Sequence, residues 1–177
     1  MKKVIVRYGL YSGIAEFLFF VATWVFIYIT NVGHEVQGYI GYISIICPLI
    51  FIYFGIRYYR DKVNGGTITF LKALKVGLLM VIIPALMFAI TETVYVEYID
   101  PKFYETVTAY DIEQYRKTLS AADLAAKLSE IKQQLALDKN PFFNFSIMVM
   151  SIAALGTIIT LISSVLLMRK VKKPIVS

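Results

Sequence analysis

An apolar run, a short basic turn and a second apolar run occupy residues 38–98, and no other feature constrains this chain as strongly. The first run, Gly38 to Ile56, ends at Arg57, Arg60, Asp61 and Lys62. Asn64-Gly65-Gly66 then supplies a bend, and Val76 to Ile90 leaves on its far side. A hydrocarbon layer about 30 Å thick is crossed by roughly twenty apolar helical residues, and cations collect on the cytoplasmic side of such crossings. The stretch therefore predicts a helical hairpin with its turn in the cytoplasm.

Two further apolar runs flank it. Tyr8 to Thr30 follows Lys2, Lys3 and Arg7, and its later part carries Trp24, Phe26 and Tyr28 where a secretory signal would have a small-residue cleavage site. It reads as a retained helix. The link Asn31 to Gln37 is short enough to force antiparallel neighbours. Phe142 to Met168 is the fourth run, and Arg169, Lys170, Lys172 and Lys173 follow it. The predicted fold is an all-α integral membrane protein, a four-transmembrane-helix bundle forming one membrane domain over 1–177. Its spans fall near 8–30, 38–57, 74–98 and 142–168. Pro48 and Pro84 lie inside spans, where neighbouring helices can satisfy the carbonyls they free. Thr69 is the expected N-cap of the third span.

Residues 100–141 differ. Asp100-Pro101 ends the third span, and charges of both signs then mix with apolar residues at helical spacing. Ile112, Tyr115, Leu119 and Ala122 form one stripe; Leu124, Leu128, Ile131 and Leu135 form another. Ser120 and Asp123 make a Ser-x-x-Asp start signal, so two amphipathic helices are expected, ending at Asn140-Pro141.

Charge sets the orientation. The N-terminal tail, the Arg57–Lys75 turn and the C-terminal tail hold twelve of the eighteen Lys and Arg residues; 100–141 holds the other six beside seven acids. All short basic stretches share one side only with both termini cytoplasmic, which makes 100–141 a periplasmic insertion between the third and fourth helices of an inner-membrane protein. Tyr28, Tyr39, Tyr95, Tyr98 and Phe142 would form the outer aromatic belt, and Tyr8, Tyr11, Tyr58 and Tyr59 the inner one. The net charge of +6 does not signal nucleic acid, because the cations sit beside apolar runs and not on a face interleaved with aromatics. A single Cys47 permits no intrachain disulfide, and with His34 as the only histidine a His/Cys metal site is not expected. No cofactor motif is present; Gly65-Gly66 lacks the spacing of a nucleotide loop.

Glu16 is the main candidate for chemistry, since a carboxyl inside the hydrocarbon costs about 2.5 kcal/mol or more. Counting depth along alternating helices puts Pro84, Thr157 and Thr160 at its level, and Pro84 leaves the Met80 carbonyl without its helical donor. Glu16, Thr157 and Thr160 are therefore the candidate intramembrane polar site, read first as a neutral link between helices and second as a proton or cation site. Glu92 is expected near the headgroups. Arg57, Arg60, Lys62, Lys72 and Lys75 are candidate contacts for anionic lipid. Gly9-x3-Gly13 and Gly156-x3-Thr160-x3-Ser164 permit close packing, within the chain or in a homo-oligomer.

YGLYSG at Tyr8, GYIS at Gly41, FGIRYYRDKVNGGTITFLKALKVGLL at Phe54 and ISSVLLMRK at Ile162 give the chain a family likeness. It resembles an uncharacterised bacterial family of small four-span membrane proteins, domain-of-unknown-function family 4199, over nearly its whole length. The resemblance implies an integral membrane protein and transfers no catalytic or binding residue. The expected function is a non-enzymatic accessory or interaction subunit. It would meet the lipid bilayer through its spans and a membrane or periplasmic protein through 100–141. The alternative is an oligomeric proton- or cation-linked transporter or channel using Glu16.

Overall fold

The computed structural model describes residues 1–30 and 32–169. Seven α-helices follow in order: α1 Lys2–Thr30, α2 His34–Ile46, α3 Ile50–Tyr58, α4 Phe70–Val94, α5 Phe103–Thr118, α6 Ala121–Asp138 and α7 Pro141–Leu167. A 3₁₀ turn at Cys47–Leu49 joins α2 to α3, and single π-helical turns follow α3 at Tyr59–Val63 and α4 at Tyr95–Ile99. Four stretches are long and apolar enough to cross a membrane: Lys2–Thr30, His34–Val63, Phe70–Ile99 and Pro141–Leu167. Among the described residues there is no strand, only one isolated β-bridge between Ile68 and Arg169. The all-α class with four helices long and apolar enough to span a membrane is as the sequence predicts. The first three spans are longer than expected because helix continues into the polar flanks; the fourth, at 27 residues, has the expected length.

The chain divides into two compact units, one made of Met1–Phe88 and the part from Met150 onward, the other of Ala89–Val149. In the first, small residues decide which faces meet. Gly9, Ser12, Gly13 and Glu16 form the buried face of α1. A Cβ on Gly9 would lie 3.1 Å from the Met80 carbonyl oxygen, and one on Gly13 would run into the Met87 side chain. Gly77 of α4 is pressed against Thr160 and Ile56, and Gly156 of α7 against Val81. Without a hydrophobic force between helices in lipid, such close backbone approach and the dispersion contacts it allows supply the packing energy. Both small-residue stripes are thus used inside the chain. Pro48 breaks the ladder at the 3₁₀ turn, and the Ser12 hydroxyl donates to its carbonyl at 3.0 Å. Pro84 is accommodated within α4.

In the second unit, the π-turn closes on Asp100, whose amide donates to the Tyr95 carbonyl at 2.9 Å. Ser120 caps α6 as expected, accepting from the Asp123 amide. Asn140 caps α7, its Oδ1 accepting from the amides of Phe142 and Phe143 with Pro141 at the first helical position, where its missing donor costs nothing. Tyr28, Tyr39, Tyr98 and Phe142 are exposed as a belt requires. Tyr95 is not: it is buried and packs edge-on against Phe103.

Candidate functional site

Three places bring together groups that could do chemistry. The first is Glu16. Its side chain is 1% exposed, and neither carboxyl oxygen has a hydrogen-bond partner among the described residues. The expected partners are elsewhere. The Thr157 hydroxyl donates to the Ala153 carbonyl of its own helix at 2.7 Å, and the buried Thr160 hydroxyl is itself unpartnered. Contacts along α4 explain why. Thr160 packs at Gly77, whereas Gly13 of α1 packs at Met87 and Glu16 lies one turn beyond Gly13. Ten helical residues separate Gly77 from Met87, so Thr160 lies about 15 Å along the axis from Gly13's level and roughly 20 Å from that of Glu16. The polar link predicted from depth is not formed.

The second is the basic turn. Gly65 and Gly66 take positive φ, 65° and 78°, the left-handed conformation that glycine reaches without steric cost. Asn64 closes the bend: its amide nitrogen donates to the Thr67 carbonyl, and its Oδ1 accepts from Lys72 Nζ at 2.6 Å. Arg60, grouped from sequence with the lipid-facing cations, is only 6% exposed. Its guanidinium grips Asp61 at 2.6 and 3.0 Å and donates to the Leu167 carbonyl at 3.3 Å. A cation against the last carbonyls of α7 is the favourable pole of that helix's dipole. Ile68 and Arg169 exchange both backbone bonds beside it, at 3.1 and 2.9 Å. Arg60 is therefore a structural cap. Arg57, Lys62, Lys72 and Lys75 remain exposed, Arg57 3.8 Å from Asp61 and Lys72 also over the Tyr59 ring. Lys170, Lys172 and Lys173, counted for orientation, lie outside the described residues.

The third lies in the second unit and departs from the sequence reading. Glu92, expected near solvating headgroups, is 6% exposed. Its Oε1 lies 2.5 Å from the Tyr104 hydroxyl, and its Oε2 accepts from Asn144 Nδ2 at 2.9 Å. The Tyr104 hydroxyl also lies 2.8 Å from Asn144 Oδ1, closing a ring of three side chains from α4, α5 and α7. Burial and the Glu92 carboxyl both push the Tyr104 phenol above its ordinary range, so it keeps its proton. Tyr104 and Asn144 were not singled out from sequence. The available signal was a lone asparagine in the first turn of an otherwise apolar helix.

No group of three or more His, Cys, Asp or Glu residues is placed to hold a metal among the described residues. No curated protein and no solved structure matches the chain. A match to one family runs over residues 7–169, nearly the whole sequence. That span takes in α1 from Arg7 onward, the basic turn with its Arg60 cap, the Glu92 ring and α7. The chain belongs to the family of proteins of unknown function DUF4199.

Proposed function

We propose that this is a non-enzymatic multi-pass protein of the bacterial cytoplasmic membrane, acting as an accessory or interaction subunit through residues 100–141. The cation distribution supports both ends in the cytoplasm and 100–141 on the outer face. One observation carries the interaction reading. Neither α5 nor α6 has a single buried residue, although each has an apolar stripe. Leu124, Leu128, Ile131 and Leu135 of α6 stay part-exposed. A helix normally hides such a stripe against a partner. The mixed charges of these helices favour a protein over an anionic lipid surface. The test is a photo-cross-linker at Leu128 in intact cells. A discrete adduct that disappears with Ile131→Asp, in protein that still assembles in the membrane, supports the reading. Cross-linking to lipid alone, or no adduct, overturns it.

A second reading rests on Glu16, whose buried carboxyl has no hydrogen-bond partner among the described residues. Ionisable residues inside membrane helices mark ion and proton paths by default. Four helices enclose little space, so a proton- or cation-linked pathway here requires an oligomer. In reconstituted vesicles, proton flux lost in both Glu16→Gln and Glu16→Ala supports it; flux that is absent in wild type or survives in Glu16→Ala excludes it.

A further inference from the structure

The ring of Glu92, Tyr104 and Asn144 contains a hydrogen count that fixes its state. Three heavy-atom contacts join the three side chains, and each needs one hydrogen lying in it. Tyr104 brings one hydroxyl hydrogen. Asn144 faces the ring with one nitrogen and one oxygen, so it fills one contact with an N–H and must accept at the other. The third hydrogen has one remaining source, the Glu92 carboxyl. With Asn144 as placed, Glu92 donates to Tyr104, Tyr104 to Asn144 Oδ1, and Asn144 Nδ2 to the second Glu92 oxygen. Turning the asparagine amide over reverses the direction of all three bonds and again requires a hydrogen on Glu92. An ionised Glu92 leaves two oxygens facing each other with no hydrogen between them in either arrangement.

We propose that Glu92, Tyr104 and Asn144 form a one-proton binding site whose occupied state latches the start of α5 to α4 and α7. The loaded ring has every donor matched to an acceptor. Loss of the proton opens one edge and sets lone pair against lone pair. The carboxylate then keeps one hydrogen bond from Tyr104 and one from Asn144, and the Tyr104–Asn144 edge parts. Tyr104 is the only member on α5, in its first turn, so this parting loosens α5 specifically. The other ionisable groups around the ring are Asp138 at the end of α6, whose charge also bears on Tyr104, and the Glu105–Lys139 ion pair between α5 and the end of α6, 2.6 Å long. Tyr95 and Asp100 lie on the adjoining turn, with their side chains 3.5 Å apart. Unlike Glu92, none of these can complete the three-contact ring. The proton count does not depend on which side of the membrane the second unit occupies.

Glutamine is the informative replacement, because its amide carries the missing hydrogen permanently and can close the same ring uncharged. Phenylalanine at 104 removes the oxygen and leaves the ring open. Two measurements on full-length protein in lipid nanodiscs test the proposal. Infrared difference spectra at neutral pH should contain a protonated-carboxyl carbonyl band that Glu92→Gln abolishes and Glu16→Gln leaves in place. A nitroxide attached to Ala109→Cys, in a Cys47→Ser background, reads the mobility of α5 between about pH 5 and about pH 9. Glu92→Gln should stay immobile throughout and Tyr104→Phe mobile throughout, while wild type moves from the first behaviour toward the second as pH rises. The proposal fails if the band survives Glu92→Gln, if wild-type mobility ignores pH, or if Glu92→Gln is as mobile as Tyr104→Phe. Failure here leaves the interaction reading untouched, since that rests on the apolar stripes and their cross-linking.

Discussion

Each of the two units buries one carboxyl, and they treat it in opposite ways. In the first, Glu16 sits on the small-residue face of α1 beside Gly13 and Ser12, and none of the described residues hydrogen-bonds to its carboxyl. In the second, Glu92 has a phenol and an amide placed on its two oxygens. The difference lies in what the surrounding sequence can offer. One turn from Glu16, Gly13 of the same helix packs against Met87; Ser12 gives its hydrogen to the Pro48 carbonyl, and the threonines of α7 lie too far along the axis. Around Glu92, α5 and the first turn of α7 bring side chains that reach inward from polar flanks. A buried carboxyl with partners acts as a structural joint, and one without is a cost that only function or history explains. The second unit is not free of loose ends, since the buried Thr93 hydroxyl there also has no hydrogen-bond partner among the described residues.

That contrast predicts opposite signs for the same kind of substitution. The largest effect is expected for Glu92→Leu, which strands both Tyr104 and Asn144 and should cost about 3 kcal/mol in detergent unfolding. A cost under about 1 kcal/mol would show that the ring is incidental. Next is Glu16→Met, which removes an unpartnered polar group at similar volume and should stabilise the chain by about 1–2 kcal/mol. Destabilisation would reveal a partner for Glu16 and erase the contrast. Thr160→Val should also stabilise, by up to about 1 kcal/mol, since its hydroxyl is buried and unpartnered while its methyl fills the space over Gly77.

The smallest effect concerns the exposed Lys139–Glu105 pair. Lys139 holds the Glu105 carboxyl below its ordinary range, so whatever the pair contributes is present at neutral pH and is lost as acid protonates Glu105. Lys139→Gln should leave the neutral-pH melting temperature within experimental error and abolish only that acid-side loss. A clear drop at neutral pH would mean that the pair does more than bridge two solvated side chains.

Much of the architecture was legible because hydrocarbon imposes length and polarity directly. The four spans, the Gly65-Gly66 bend, the Ser120 cap and the stop at Asp100 all rest on local rules that need no partner. The sites were less legible. Counting residues from a common midplane assumes that helices are centred alike. In the structure α7 meets α4 with Thr160 at Gly77, and that offset removes Thr157 and Thr160 from Glu16. Glu92, Tyr104 and Asn144 are separated by 12 and 40 positions, so their meeting depends on tertiary packing. Arg60 looked like its exposed neighbours because its acceptor, the Leu167 carbonyl, is 107 residues away.

That last separation bears on biosynthesis. A ribosome releases the Arg60 loop long before it has made the helix end that the guanidinium grips, and Ile68 waits similarly for Arg169. During that interval the loop has its glycine bend but neither its distant carbonyl nor its backbone mate. Completion of α7 is thus reported back to the turn between the second and third spans by a clasp that an unfinished or misinserted chain is unable to close.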